Sequence, residues 1–238
     1  LNAIEANLVG FSMATDINNA CYIPLKHDDS KKQINFEDAI SILKSIAEDK
    51  SITKIFHNKK YDALVLDKYG IKVNSYEDTM LISYSLGSGG TRHGLDNLAK
   101  NYLSHSALSY KDIVGTGKNQ KSFNEIDIYE ATRYAAEDAD ITFRLWKLLK
   151  PMLALEKTSS VYEAIERPLA SIIMNMEKNG VCIDESILKK LSIKFENDIS
   201  KIENECFKIV GNEFNLGSPK QIGEILFDKL KIKGGKKT

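Results

Sequence analysis

From Asp127 to Lys150 the chain carries neither Gly nor Pro. Its apolar residues Ile128, Ala131, Ala135, Ile141, Leu145, Leu148 and Leu149 recur there at the spacing of one helix face. A helix this long must bury that face against other elements. Tyr134 and Asp138 are four residues apart, so the phenol and the carboxylate share one side of it. Glu137, Asp138 and Asp140 crowd three carboxylates into four positions, where they repel one another and cannot all point the same way. Only Asp138 lies on the tyrosine's face. Two readings stand at this point: a solvated acidic surface, or a site for a hard divalent cation, which takes inward-pointing carboxylates.

A second stretch, Phe56-His57-Asn58-Lys59-Lys60-Tyr61-Asp62, leaves a short apolar run and enters a helix. Functional groups are presented at that position in α/β sheets. Asn58 and Asp62 are again four apart. Taken alone, Asn58 reads as the helix cap and Asp62 as a first-turn acid favoured by the helix dipole. N-x-x-x-D followed downstream by Y-x-x-x-D is more specific than either half.

The rest of the chain supplies the frame. Leu8–Thr15 and Cys21–Leu25 flank the turn Asp16-Ile17-Asn18-Asn19 as a hairpin. Asn35 is placed to cap a helix carrying Phe36, Ala39, Ile40, Leu43, Ile46 and Ala47, and Ile52–Phe56 reads as a buried strand, parallel to the first if that helix is a crossover. Asn58 opens a helix that ends near Gly70. Asp78-Thr79-Met80 opens another that ends near Gly87, and Leu95–Leu103 forms a third. The loop Gly87–Arg92 is the most flexible segment expected in the first half. These elements predict an α/β domain, with a mixed β-sheet and helices packed on it.

Beyond Pro151 the pattern is helical. One helix runs from about Ser160 to Asn179, with a kink at Pro168 and a stop at Gly180. Asp184 caps a longer one, Glu185 to Val210, with an apolar stripe of Leu188, Leu191, Phe195, Ile199, Ile202, Cys206 and Ile209. Ser218-Pro219-Lys220-Gln221 reads as a capping box. The division falls at 1–152 and 153–238.

Thirty-three Lys+Arg against thirty-three Asp+Glu leave no net charge, so any nucleic-acid contact must be local. Cys21, Cys182 and Cys206 are far apart and in no CxxC pair, which indicates free thiols in a reducing compartment, the cytoplasm. No apolar run is long enough to span a bilayer. A start at Leu1 and an end on Lys236-Lys237-Thr238 suggest a piece of a longer chain.

In this order the two motifs resemble the second and third exonuclease motifs of the 3′–5′ proofreading domain of bacterial family A DNA polymerases. The resemblance extends through Asn7–Ser12, Tyr22-Ile23-Pro24, Asp78-Thr79-Met80, Arg92-His93 and Gly115–Gln120. It continues into Met176–Val181 and Phe214-Asn215-Leu216, which look like the start of that family's polymerase domain, at the thumb. It implies a ribonuclease-H-like domain followed by a helical thumb segment, with 3′–5′ hydrolysis of single-stranded DNA by two Mg²⁺ or Mn²⁺ ions roughly 3.5–4 Å apart. By resemblance Asp62 and Asp138 are the metal ligands, and Tyr134 orients the attacking water. Asn58 and Tyr61 contact the terminal nucleotide, His57 and Arg92 meet phosphates, and Tyr110 stacks on an unpaired base. The basic residues Lys229, Lys231, Lys233, Lys236 and Lys237 suit duplex DNA at the thumb.

Two departures matter. The family's first motif, D-x-E, belongs just before a segment like Leu1-Asn2-Ala3-Ile4, and Glu5 is no substitute, so the two-metal site is expected to be incomplete in this chain alone. The palm motifs have no counterpart before Thr238. A scaffold that has lost nuclease activity and a 3′ exoribonuclease resembling ribonuclease D are the competing readings.

Overall fold

A computed structural model describes residues 2–29, 33–87, 92–117 and 120–232. Most of the Gly87–Arg92 loop, Lys118-Asn119 of the Gly115–Gln120 motif, and Lys233, Lys236 and Lys237 lie outside the described residues. The chain forms two compact units, Leu1–Gly180 and Val181–Thr238.

In the first unit, β1 (Gly10–Asp16) and β2 (Asn19–Pro24) make the antiparallel hairpin, with Phe11 paired to Ile23 and Met13 to Cys21. Gly10 is required by close approach: a Cβ there would lie 2.2 Å from the Tyr22 hydroxyl oxygen and 2.7 Å from the Ile23 carbonyl. Helix α1 (Phe36–Glu48) is capped as expected, the Asn35 side chain accepting the N–H groups of Glu37 and Asp38. Next come β3 (Lys54–Phe56), α2 (Lys59–Asp67), β4 (Tyr76–Asp78) and α3 (Thr79–Leu86).

α1 does not serve as a crossover that pairs β3 with the hairpin: β3 pairs in parallel with β4, Lys54 with Tyr76 and Phe56 with Asp78. The strand is also short, and Ile52 stands outside it, exposed. β4 is too polar to show a strand period, because Glu77 and Asp78 are buried through hydrogen bonds and not through apolar contact. The described strands thus form one antiparallel and one parallel pair.

Helices α4 (Leu95–Leu103) and α5 (Tyr110–Val114) lead to α6 (Ile128–Leu155), which spans about 42 Å. Asp127 caps α6 on the N–H of Tyr129, and the helix runs on through Pro151. Its Ala131 and Ala135 are buried with Tyr22, Val114 and Ile126. Farther along, Ile141, Leu145, Leu149 and Leu153 pack with Ile82, Leu98, Ala99 and Tyr162. A separate cluster joins α1 and α2 through Ala39, Leu43, Leu64 and Leu66.

After α7 (Ser159–Val161) the helical run widens into a π-turn at Tyr162–Glu166 and resumes as α8 (Arg167–Asn179). Pro168 explains the widening. It lacks an N–H, and its ring would strike the carbonyl of Ala164 four residues back in a regular helix. The turn also seats Tyr162, which is fully buried. Its hydroxyl accepts the Asp78 N–H at 3.0 Å and donates to Glu77 at 2.7 Å. Glu77 also receives Lys150 at 2.9 Å and Arg167 at 3.4 Å, and both cations pair with Glu163.

In the second unit Asp184 caps α9 (Glu185–Val210) on the N–H groups of Ser186 and Ile187. The stripe residues Leu188, Leu191, Phe195, Ile199, Ile202 and Ile209 are exposed. Helix α10 (Pro219–Gly223) passes into a second π-turn, Glu224–Lys229. Only half of the expected capping box forms: Ser218 accepts the Gln221 N–H, but the Gln221 side chain accepts from Asn215. Among the described residues no helix is long and apolar enough to cross a membrane.

Tyr162→Phe leaves the buried Asp78 N–H and Glu77 carboxylate short of a partner. We expect a loss of about 1–3 kcal/mol and a fall of several degrees in the thermal midpoint of the first unit, read by circular dichroism. An unchanged midpoint would mean that water replaces the hydroxyl.

Candidate active site

The three clustered carboxylates of α6 separate in space. Glu137 accepts from His105 Nε2 and from the Leu108 N–H, both at 2.8 Å. Asp140 accepts the Asn18 N–H at 2.5 Å and pairs with Arg144 at 3.5 Å. Asp138 alone is hydrogen-bonded to Tyr134. Burial, and then the charges of Asp96 and Glu137, outweigh that hydrogen bond and push the Asp138 carboxyl up to about 7. Burial and the adjacent carboxylate hold the Tyr134 phenol well above its ordinary range, so it stays protonated and donates. Asp96, an exposed acid in the first turn of α4, had no signal in the sequence to connect it with α6.

The second motif sits where β3 enters α2, but Asn58 is not the cap expected of it. Its backbone is left-handed (φ 68°, ψ 55°) and its side chain makes no capping bond. Asp78 does that work from β4, accepting the Asn58 N–H at 3.1 Å and the Lys59 N–H at 2.8 Å. Asp62 lies in the first turn of the helix so held. Burial, then the charge of Asp78, raises it to about 7.

Tyr110 connects the motifs. Its ring stacks on Phe123 with centroids 6.1 Å apart and meets the Tyr134 ring edge-on at 6.0 Å. The Tyr61 phenol is raised by burial and by the nearby Asp62 and Tyr110. His57 Nδ1 lies 2.8 Å from the Thr79 hydroxyl, and burial lowers its pKa to about 4. At neutral pH it therefore brings no positive charge to a phosphate. Arg92 is exposed beside His93.

Neither Asp62 nor Asp138 has a basic side chain among the groups that set its ionisation. Half-buried, unneutralised carboxylates of this kind suit a hard divalent cation. Among the described residues no three His, Cys, Asp or Glu side chains converge as a metal site.

A family model described as 3′-5′ exonuclease matches residues 1–154. The chain belongs to this exonuclease family of the family A DNA polymerases. The family model for DNA polymerase family A itself matches residues 185–238. The chain is 44% identical to DNA polymerase I of Rhizobium leguminosarum over its whole length, and 38% identical to that of Pseudomonas aeruginosa over 97% of it. It spans 25% and 26% of those two proteins. Among solved structures, it resembles the polymerase domain of Pol1 from M. smegmatis, in complex with DNA primer-template and dNTP. The TM-score is 0.66 at 22% identity, covering 99% of this chain and 40% of that one. Brucella melitensis NrnC matches at TM-score 0.55 and 24% identity, over 72% of this chain and 77% of that one. Both likenesses bear on the fold. The exonuclease family generally works with divalent metal ions.

The raised carboxyls make a pH prediction for metal-free protein. A carboxyl whose folded pKa lies above its unfolded value stabilises the fold at low pH. That contribution is lost as pH rises from about 4 through about 7. Asp138→Asn removes the ionisation while keeping an acceptor for Tyr134. With EDTA present it should raise the melting temperature by a few degrees at pH 8, equivalent to about 1–2 kcal/mol, and the gain should vanish near pH 4. A gain independent of pH would contradict the raised pKa.

Proposed function

We propose that this chain is the 3′–5′ exonuclease part (1–152) and the beginning of the polymerase part (153–238) of a DNA polymerase I. Its exonuclease site removes the terminal nucleotide from a single-stranded 3′ end during replication and repair. The observation that carries this reading is the Tyr134–Asp138 pair, a protonated phenol on a half-buried carboxylate free of basic partners. Asp62, likewise without a basic side chain acting on it, is raised by burial to about 7.

Asp62 and Asp138 would hold Mg²⁺ or Mn²⁺. When bound, these ions lower the pKa of the attacking water and stabilise the leaving 3′ oxygen. With carboxyls near 7, cation and proton compete for the same oxygens, so binding strengthens as pH rises. Tyr134 spends its hydroxyl proton on Asp138 and keeps lone pairs that accept from the water and orient it; a phenol held this far above neutrality is no base. Asn58, free of capping duty, and Tyr61 contact the terminal nucleotide. Tyr110, backed by Phe123, stacks on an unpaired base, and Arg92 meets a phosphate. His57, with Nδ1 on the Thr79 hydroxyl and Nε2 buried, supports the turn beside the site. In the second unit Lys231 is exposed and suited to duplex phosphates, whereas Lys229 is bound to the Val210 carbonyl and Asn212. The described cysteines are free thiols, in keeping with a cytoplasmic location.

The test is nucleotide release from a 5′-labelled single-stranded DNA in Mg²⁺ by the complete polymerase chain. Asp62→Ala and Asp138→Ala should each lower release by about 10²-fold or more. Tyr134→Phe should lower kcat by about 10- to 100-fold with KM little changed. Release insensitive to both aspartate variants would overturn the reading, and no release by the unaltered chain would favour the scaffold.

A further inference from the structure

We infer that Asp78 is a positioning residue for nucleotide release, holding the turn that carries Asn58, Tyr61 and Asp62 in its working geometry. The inference rests on the exonuclease reading above and extends it to a side chain in neither motif.

Asp78 is 1% exposed, and its one carboxylate closes two helices. Oδ1 accepts the N–H groups of Asn58 at 3.1 Å, Met80 at 2.9 Å and Leu81 at 3.4 Å, while Oδ2 accepts that of Lys59 at 2.8 Å. An N-cap ordinarily serves its own helix. Here the acid that opens α3 also supplies the cap of α2, from across the β3–β4 pair. The exchange has a consequence at the site. Asn58, relieved of capping, adopts a left-handed conformation that asparagine tolerates, and its side chain makes no capping bond. Asp78 is itself held from behind, by its N–H on Tyr162 and by its pairing with Phe56. Asp62 follows three residues after Lys59, within the first turn. Any release of the Asn58 and Lys59 amides frays the turn that aims Asp62.

A purely structural cap would lower stability and leave kcat alone, so Asn35→Ala, which removes the cap of α1 in the same unit, is the control. In the complete polymerase chain Asp78→Ala should cut kcat for release from single-stranded DNA by about 10²-fold, the scale of an ångström-sized misplacement, with KM nearly constant. Asp78→Asn keeps one acceptor oxygen but turns an N–H toward that of Lys59, and it should fall between. Asn35→Ala should stay within about twofold of the unaltered chain. In metal-free protein, hydrogen–deuterium exchange over residues 57–63 should quicken in both Asp78 variants and not in Asn35→Ala. Raised Mn²⁺ should recover part of the Asp78→Asn loss and none of the Asp62→Ala loss.

If Asp78→Ala does not fold, Asp78→Asn carries the comparison. Asp78 variants that match Asn35→Ala in kcat and exchange, with Asp62→Ala inactive, would overturn the positioning role and leave the exonuclease reading standing. Asp62→Ala with full activity would overturn both.

Discussion

The apolar ladder Ile141, Leu145, Leu149 and Leu153 fixes the rotation of α6, and the site depends on that rotation. All four side chains are essentially withdrawn from water, each burial worth about 1.5–3 kcal/mol. Successive residues of a helix are separated by about 100° of arc, so a slip of one position would bury a polar neighbour and turn a different acid toward the site. Ala131 and Ala135 complete the constraint nearer the hairpin, where Tyr22 packs against small side chains. Tyr22 is held in turn through His27. Its hydroxyl lies 2.7 Å from His27 Nε2, and the other ring nitrogen lies 3.0 Å from the Ile126 carbonyl just before α6.

With α6 fixed, the protein treats its buried acids in two ways. Glu77 is met by Lys150, Arg167 and Tyr162, and Asp78 by four backbone N–H groups, which offset part of the burial that still holds the Asp78 carboxyl above its ordinary range. Asp62 and Asp138 have no cationic partner among the groups acting on them, and burial raises both to about 7. The hydrogen-bonded pair organises the backbone. The uncompensated pair is left with unsatisfied affinity for protons or a cation, a feature more common at functional sites than in structural networks.

The two halves of the site differ in how far local sequence reveals them. Tyr134 and Asp138 share one uninterrupted helix, so periodicity alone puts them on a common face. The same local logic finds the Asn35 and Asp184 caps, because a cap and the amides it serves are neighbours in the chain. Asn58 looks equally like a cap and is not one, since Asp78, twenty residues on, takes its place. β4 escapes notice because Glu77 and Asp78 are polar and nonetheless buried.

The sequence by itself determined the long helix, the hairpin, the order of the two motifs and, through the residues they carry, the family. These follow from spacing along the chain or from side-chain identity. Tertiary structure alone decided that β3 pairs with β4, that Asp78 holds two helices, that Tyr110 lies between the motifs, and that Asp96 bears on Asp138. Each joins residues far apart in the chain, through hydrogen bonds or charges whose strength depends on burial. Burial belongs to the packed molecule, and no local pattern of residues encodes it.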